Sequence, residues 1–491
     1  MKPDAPKTLR EILEQAAKSS DFRQFSPFAE NDRIRISYYS SLVDAEKVNR
    51  YLIAEIQQHD DDIHRLADIQ NRIPFDEAQI TEDTSEVESK LVKGYVILQI
   101  VSEEPAFLIV NINQTEQGHR QSNETENEFS VVGPKIGFVE NIHVNVHLLR
   151  QQIAVTRLVI EEVSVGSLSN TKVMIAYLDG VTNPQHIETM KQRLGRIDFE
   201  VVFDTSILDQ IISDHTNSPF PLFLSTERVD RVAYAITSGQ VAVFADGSPY
   251  VFTGPSTFLD FFVSPEDYYL PWIIGSFFRI VRILSVIFSI FVTPVYVAVL
   301  TYHFEVIPEN ILEPLIMSRT HVPLPPVLEA LFLEVTIELL REAGARLPTK
   351  IGQTLGIVGG IVIGQATVEA ALASSILLII VALSALASFT TPIFKMANTI
   401  RLLRFPLILL AGLWGGLGIV AGLFLLLGHL LRLKSLGTPY LLPLFPLRTG
   451  NFGDSFVRRS YRYITNRNIY LRPLDSKRYT PSEDQEDIEH E

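Results

Sequence analysis

Residues 405–431 read "FPLILLAGLWGGLGIVAGLFLLLGHLL", 27 residues without a Lys, Arg, Asp or Glu. A helix crosses a hydrocarbon core with roughly 20 apolar residues, so this stretch is long enough to span one. Three more uncharged windows precede it, at 283–304, 351–368 and 370–391. A helix buried in a water-soluble protein usually carries a polar stripe at 3.6-residue spacing. Four windows without one imply a helical membrane domain over 270–431 with four or five hydrophobic segments.

Outward from that domain the chain changes character. Its 491 residues are 46% hydrophobic and 20% charged, with mean hydropathy +0.17. That average blends an apolar half with a charged, mixed half before residue 270. The net charge of −15 argues against nucleic acid, whose binding needs clustered Lys and Arg to displace counterions. The basic cluster that does exist follows the last apolar window: Arg432 to Arg478 holds ten Lys or Arg against two acidic residues. Positive charge in that place suits a cytoplasmic membrane flank. The last nine residues carry six carboxylates and read as a solvated end, so 432–491 is a basic-then-acidic cytoplasmic tail. There is no cysteine, which excludes disulfides, thiolate metal sites and thiol nucleophiles. Residues 1–30 form a charged, flexible segment with a short helix near Leu9–Lys18 and no apolar secretory core. A half of about 270 residues without an export signal is expected to stay in the cytoplasm.

The charged half divides into two small α/β domains, 31–130 and 131–269. In the first, "IRISYY" alternates as a strand does, "SLVDAEKVNRYLIAEI" has helical apolar spacing, and "GYVILQIV" with "PAFLIVNI" form a strand pair. In the second, "TKVMIAYLDG" is a strand, Asn183-Pro184 opens a helix, and "EVVFD" reads as another strand. "RVAYAITSGQVAVFADGSPYVFTGP" gives a helix and then a hairpin turning at Asp246-Gly247-Ser248, where glycine tolerates positive φ.

Within the membrane half the informative stretch is "REAGARLPTKIGQTLGIVGGIVIGQATVEAALAS", Arg341 to Ser374. Gly352, Gly356, Gly360 and Gly364 recur every fourth residue, with Gly359 beside them. Each helical glycine costs about 1 kcal/mol relative to alanine, and in membranes the usual offset is close approach of another backbone. That contact lies within one subunit, at a subunit interface, or along a pore. Gln353, Gln365 and Glu369, with Thr354 and Thr367, border the run. A carboxylate at the bilayer centre costs about 2.5–3.5 kcal/mol, so Glu369 either meets water or a partner or sits at a membrane boundary. Upstream, Glu334, Glu338, Arg341, Glu342 and Arg346 fall within roughly 140° of one helical face, with Glu329 outside it. This segment reads as an interfacial amphipathic helix, or as a re-entrant piece of 306–346 whose charges line an aqueous cavity. Prolines at 323, 325, 326 and 348 break it from its neighbours. In 405–431, Gly412 with Gly416 and Gly418 with Gly422 mark helix packing.

An even number of spans puts both termini on one side. With four, a loop carrying Lys395, Arg401 and Arg404 falls outside, against the positive-inside trend. A fifth pass or re-entry by 306–346 would repair this. His143 and His147, near Glu140, share a helical face but lack a recognisable third ligand for zinc. No nucleotide loop, nucleophile elbow or H-E-x-x-H occurs. The expectation is therefore no enzyme, no catalytic residue, no metal and no cofactor.

Several strings carry a family resemblance: "GPKIGFVENIHVN" (133–145), "SPFP" (218–221), "TERVDRV" (226–232), "ADGSP" (245–249), "EDYY" (266–269) and "LREAGARLPTKIGQTLGIVGGIVIGQATVEA" (340–370). From about residue 74 to 446 the chain resembles the A subunit of GerA-type spore germinant receptors. It departs at Lys135, where the family usually has Arg, and at Val229 and Lys350, where it usually has Pro. The resemblance implies a place in the inner membrane of a bacterial endospore, with the N-terminal half in the spore core. It implies two partners, a transporter-like B subunit that senses nutrient and a lipoprotein C subunit. The A subunit itself is expected to form a homo-oligomer and a nutrient-gated ion channel whose opening starts germination. The glycine run, with Gln353 and Gln365 as polar lining, is then the expected pore or packing helix. Two other readings stand beside this one. A membrane-anchored scaffold without a pore leaves the glycine ladder unexplained. A secondary transporter would show related halves, and no internal repeat is seen.

Overall fold

The computed structural model describes residues 8–28, 33–59, 62–75, 77–103, 105–113, 128, 132–346, 360–447 and 454–479. The N-terminal half is α/β, as its patterning predicts, and contains two five-stranded sheets. Strands β1 (Phe22–Phe25), β2 (Ile34–Tyr39), β3 (Ala78–Thr81), β4 (Tyr95–Ile100) and β5 (Phe107–Asn111) pair in the order β1-β2-β4-β5-β3. Strands β6 (Leu158–Val165), β7 (Thr171–Leu178), β8 (Leu224–Thr226), β9 (Val241–Ala245) and β10 (Val251–Gly254) follow the order β6-β7-β9-β10-β8. All these pairs are antiparallel.

The alternating stretch "IRISYY" is β2 itself, and Ile34 and Ile36 are buried in the first core. The hairpin turn at Asp246–Ser248 also forms, with Gly247 at φ 86°. Two local expectations give way. Glu200–Asp204 ("EVVFD") makes no strand: it has only Val202 buried, while Phe203 points to solvent. A true strand in a sheet alternates burial and finds a ladder partner; here two backbone groups instead cap the β6–β7 turn, with Ser167 and Leu168 amides donating to the carbonyls of Phe199 and Glu200. Near the N-terminus the expected short helix forms over Leu9–Ala16, capped by Thr8, but Phe22–Phe25, read as part of a flexible segment, is an edge strand of the first sheet.

The two domains are clamped together by a buried cluster. Arg150, on the helix Ile142–Gln152, holds Asp21 through two contacts of 2.6 Å and Ser19 at 2.8 Å, and its guanidinium lies 3.9 Å over the Tyr39 ring. His147, one turn away on that helix, brings Nδ1 within 2.8 Å of the Ser41 carbonyl. This is the role the structure gives the residue that helical spacing had paired with His143.

The C-terminal part is helical. Among the described residues two helices are long and apolar enough to cross a membrane, Trp272–Tyr302 and Phe394–Arg432. This is fewer than the four or five segments expected. The window 370–391 yields a helix of 14 residues, Ser375–Ser388. The window 351–368 is described from Gly360 onward, where residues 360–369 are helical. The first long helix starts eleven residues before its uncharged window because Arg279 and Arg282 are neutralised in place. Both reach Asp267 at 3.1 Å. One apolar core joins the second domain to the first long helix, the 394–432 segment and the start of the tail, through Val286, Ile290, Met396, Ile400, Leu407 and Leu430.

Candidate functional site

The segment Phe394–Arg432 is one uninterrupted apolar run in sequence but two helices in space. Gly415 has φ 61° and ψ −135°, a backbone that glycine adopts without a Cβ clash. Beyond it the chain folds back on itself. Gly418 packs against the Leu410 carbonyl and Gly422 against Leu407, each too closely to admit a Cβ. Those pairings are antiparallel about residue 415, so the segment is a helical hairpin. The expected packing role of Gly418 and Gly422 is real, and their partner is the preceding leg. Gly412 takes Val327 in the same way, and Gly416 has His303 Nε2 at 3.2 Å from its Cβ position, a tight contact.

The hairpin sorts the helix ends into two levels. At the near level, beside the α/β domains, Lys395 pairs with Asp209, Thr399 donates to the Pro219 carbonyl, and His429 lies 2.9 Å from Ser218 Oγ. At the far level, Tyr302 donates to the carbonyls of Gly412 and Leu413 at 3.1 and 2.9 Å, and the Gly416 amide donates to His303 at 3.2 Å. The charged helix Pro326–Arg346 begins beside the hairpin tip, where Val327 meets Gly412, and ends near Ser388. The helix Ser375–Ser388 begins at the far level, where the Ser374 amide donates to Glu329, and returns. Lys395, Arg401 and Arg404 therefore sit on the near half of one hairpin leg, in a helix and not in a loop.

The charged helix is partly interior. Glu334 is buried, accepts the Thr293 hydroxyl at 3.0 Å and pairs with Arg404 at 3.0 Å. Glu338 lies between Arg341 at 3.6 Å and Arg401 at 3.8 Å, and Arg341 also stacks 4.4 Å over Phe389. Glu342 and Arg346 pair with each other in an exposed turn. Glu329, which helical angle had placed apart from this set, is fully buried and pairs with Arg319 at 3.3 Å. A charge withdrawn from water needs a partner and satisfied hydrogen bonds. Arg319 and Arg404 were not read as members of the site, because they lie 10 and 70 residues away in sequence from their carboxylates. Sequence separation hides such pairs.

The glycine run is seen in part. Gly352, Gln353, Gly356 and Gly359 lie outside the described residues. Gly360 is exposed, and a Cβ built there meets nothing within 4 Å. Gly364 has Leu378 Cδ2 at 3.7 Å from its Cβ position, an ordinary contact. Gln365 and Glu369 are exposed and bond to each other at 2.7 Å. Exposure on this helix is shared by Gly360, Ile361, Val362, Gln365 and Glu369, while Thr367 is buried.

Known proteins were compared with the chain. The family described as "Bacillus/Clostridium GerA spore germination protein" matches residues 7–470. Spore germination protein GerQA of Bacillus cereus is 46% identical over 97% of this chain and 95% of its own length. Spore germination protein GerIA of Bacillus cereus is 43% identical over 96% of this chain and 70% of its own length. A crystal structure of the N-terminal domain of the A subunit of the Bacillus megaterium spore germinant receptor GerK3 aligns with 51% of this chain and 94% of that one, at 26% identity and a TM-score of 0.38. With a match that runs through both α/β domains, the helical part and into the segment that follows it, the chain belongs to the GerA spore germination protein family.

Proposed function

We propose that this chain is the A subunit of a nutrient-sensing spore germinant receptor, embedded in the spore inner membrane, and that several copies assemble into a nutrient-gated ion channel. A transporter-like B subunit and a lipoprotein C subunit complete the receptor. The observation that carries the channel reading is the exposure of helix 360–369. If its glycines served packing within one subunit, their missing side chains would be filled by neighbours, as Gly418 and Gly422 are. Among the described residues Gly360 has no such neighbour, and Gln365 and Glu369, farther round the same helix, are exposed as well. Bare backbone with an amide and a carboxylate is costly against acyl chains and cheap against a second copy or a water-filled path.

The near and far levels fit this placement. Among the described residues the first long helix, the charged helix, the short helix and the two hairpin legs each connect them. The first long helix leaves the near level and the second hairpin leg returns to it, which keeps both α/β domains and the start of the tail on one side, with Lys395, Arg401 and Arg404 toward it, in keeping with the positive-inside trend.

The test is electrical recording on the full chain reconstituted with its partner subunits, with and without nutrient. Gly360→Leu places a bulky side chain on the exposed helix and is expected to abolish nutrient-dependent conductance while leaving protein level and thermal melting unchanged. Normal conductance from that variant would remove the pore or interface role, and a pore-free scaffold would be the better description.

A further inference from the structure

A cavity of about 450 Å³ lies where the second α/β domain, the segment leading into the first long helix and the C-terminal strap 454–479 meet. Small-molecule sites fall in the range of about 300–1,000 Å³ and combine apolar or aromatic walls with a few convergent polar groups. Here the aromatic walls are Tyr234, Tyr268 and Tyr470, the first two with ring centroids 5.1 Å apart.

The charged groups lining it are Asp230, Asp260, Asp454, Arg231 and Arg478. Each carboxylate already has donors. Asp230 takes Arg228 at 2.7 Å and Tyr269 at 2.6 Å. Asp260 takes the Thr257 amide at 2.7 Å and the Tyr470 hydroxyl at 3.2 Å, and burial pushes its carboxyl above the usual range, toward the neutral form. Asp454 takes the hydroxyls of Tyr268 and Tyr234 at 3.0 and 3.3 Å and lies 3.6 Å from Arg279. Arg231 donates to the Val263 carbonyl at 2.9 Å and lies 3.5 Å from Glu128.

Arg478 differs. Its Nη2 donates to Ser238 Oγ and its guanidinium stacks 4.5 Å over Tyr234, yet no carboxylate pairs with it among the described residues. Its Nε is buried without a hydrogen-bond partner. A guanidinium set over an aromatic ring in a cavity wall, with no carboxylate partner among the described residues, is suited to receive an oxyanion.

We propose that this cavity binds a small organic anion, a carboxylate or phosphate on an apolar or aromatic body, with Arg478 taking the oxyanion and the tyrosines packing the body. The site has a route to the membrane part. Asp454 on the strap contacts Arg279 of the first long helix, and the strap's Arg458 caps the carbonyls of Asp267 and Leu270 at the start of that helix. A bound anion ties the strap to the second domain and stiffens that junction. The inference is independent of the channel reading.

The experiment uses the full chain in lipid nanodiscs, with phenyl phosphate, inorganic phosphate and phenol as probes. Phenyl phosphate at millimolar concentration is expected to raise the melting temperature and to slow amide exchange in 454–479, with weaker responses to either fragment. Arg478→Gln is expected to weaken the phenyl phosphate response by about tenfold, the scale of one lost charge-assisted contact. Arg478→Lys keeps the charge but loses the planar fork and is expected to fall between. An identical response in wild type and Arg478→Gln overturns the assignment, as does no response to any probe. Stabilisation without protection of the strap would place the anion elsewhere and overturn it as well.

Discussion

Arg150 and Asp21 join the two α/β domains, and their partnership is invisible to local patterning because 129 residues separate them. What the sequence does show is that His143 and His147 can share one helical face, and the helix they lie on is capped by the Asn141 side chain. That helix carries both Arg150 and His147 to the interface. Removing one member of a buried pair leaves the other charge unsatisfied, at a cost of about 3–5 kcal/mol. Arg150→Met is therefore expected to lower the melting temperature of the detergent-solubilised chain, with early loss of amide protection in β1. Asp21→Asn with Arg150→Met removes both charges and should recover part of that loss; a double variant as unstable as the sum of the singles would refute the pairing. Burial raises the Asp21 carboxyl, but Arg150, Ser19 and Ser41 outweigh it, and the folded-state value lies below the ordinary one. A depressed carboxylate contributes stability that is complete above its unfolded value, about pH 4, and is lost as pH falls through the lower folded value. The clamp should thus hold at neutral pH and fail only in acid. A melting curve whose acid limb is the same in Asp21→Asn as in wild type would contradict this.

At the scale of elements, strands and turns were the more legible features, because period-two alternation and turn residues are local. The helices of the membrane half were legible in composition and obscure in shape. Hydropathy registers 405–431 as one window since a turn made of glycine and tryptophan carries no charge, and the two legs are equally apolar. The hairpin has a sharp consequence. In a continuous helix, residues 407 and 422 would lie about 22 Å apart at 1.5 Å per residue; in the hairpin, Leu407 touches Gly422. The chain has no cysteine of its own, so the double variant Leu407→Cys/Gly422→Cys is a clean probe. Mild oxidation is expected to cross-link it within each chain, while Leu407→Cys/Leu431→Cys stays free. No cross-link in either pair would mean a continuous helix. The ion pair between the legs' neighbours follows a similar logic. Glu334→Gln leaves Arg404 without its countercharge in the bundle and is expected to destabilise by about 3–5 kcal/mol, whereas Glu334→Leu with Arg404→Leu should be near neutral. Thermal melting in detergent reads both. Helical angle had gathered Glu334 and Glu338 on one face, but could not say whether water or arginine lay opposite.

For the whole molecule, the two levels make a statement about sidedness that charge counting along the sequence could not reach. Counting four spans set Lys395, Arg401 and Arg404 in a loop, because the charged helix 326–346 was weighed as an interfacial or re-entrant piece, whereas its Glu334 is buried and paired with Arg404. On the proposed placement the first long helix leaves the level of the α/β domains and the second hairpin leg returns to it. Single cysteines test this on the cysteine-free background. Val306→Cys sits at the far level in an exposed turn after the first long helix, and Lys434→Cys follows the hairpin at the near level. In intact cells a membrane-impermeant maleimide should label Val306→Cys and spare Lys434→Cys. Inverted vesicles should show the opposite pattern. Labelling of both from one side would mean that the bundle does not cross the bilayer between its two levels. The exposed helix 360–369 would then have no membrane to span, and the channel proposal would fall with it.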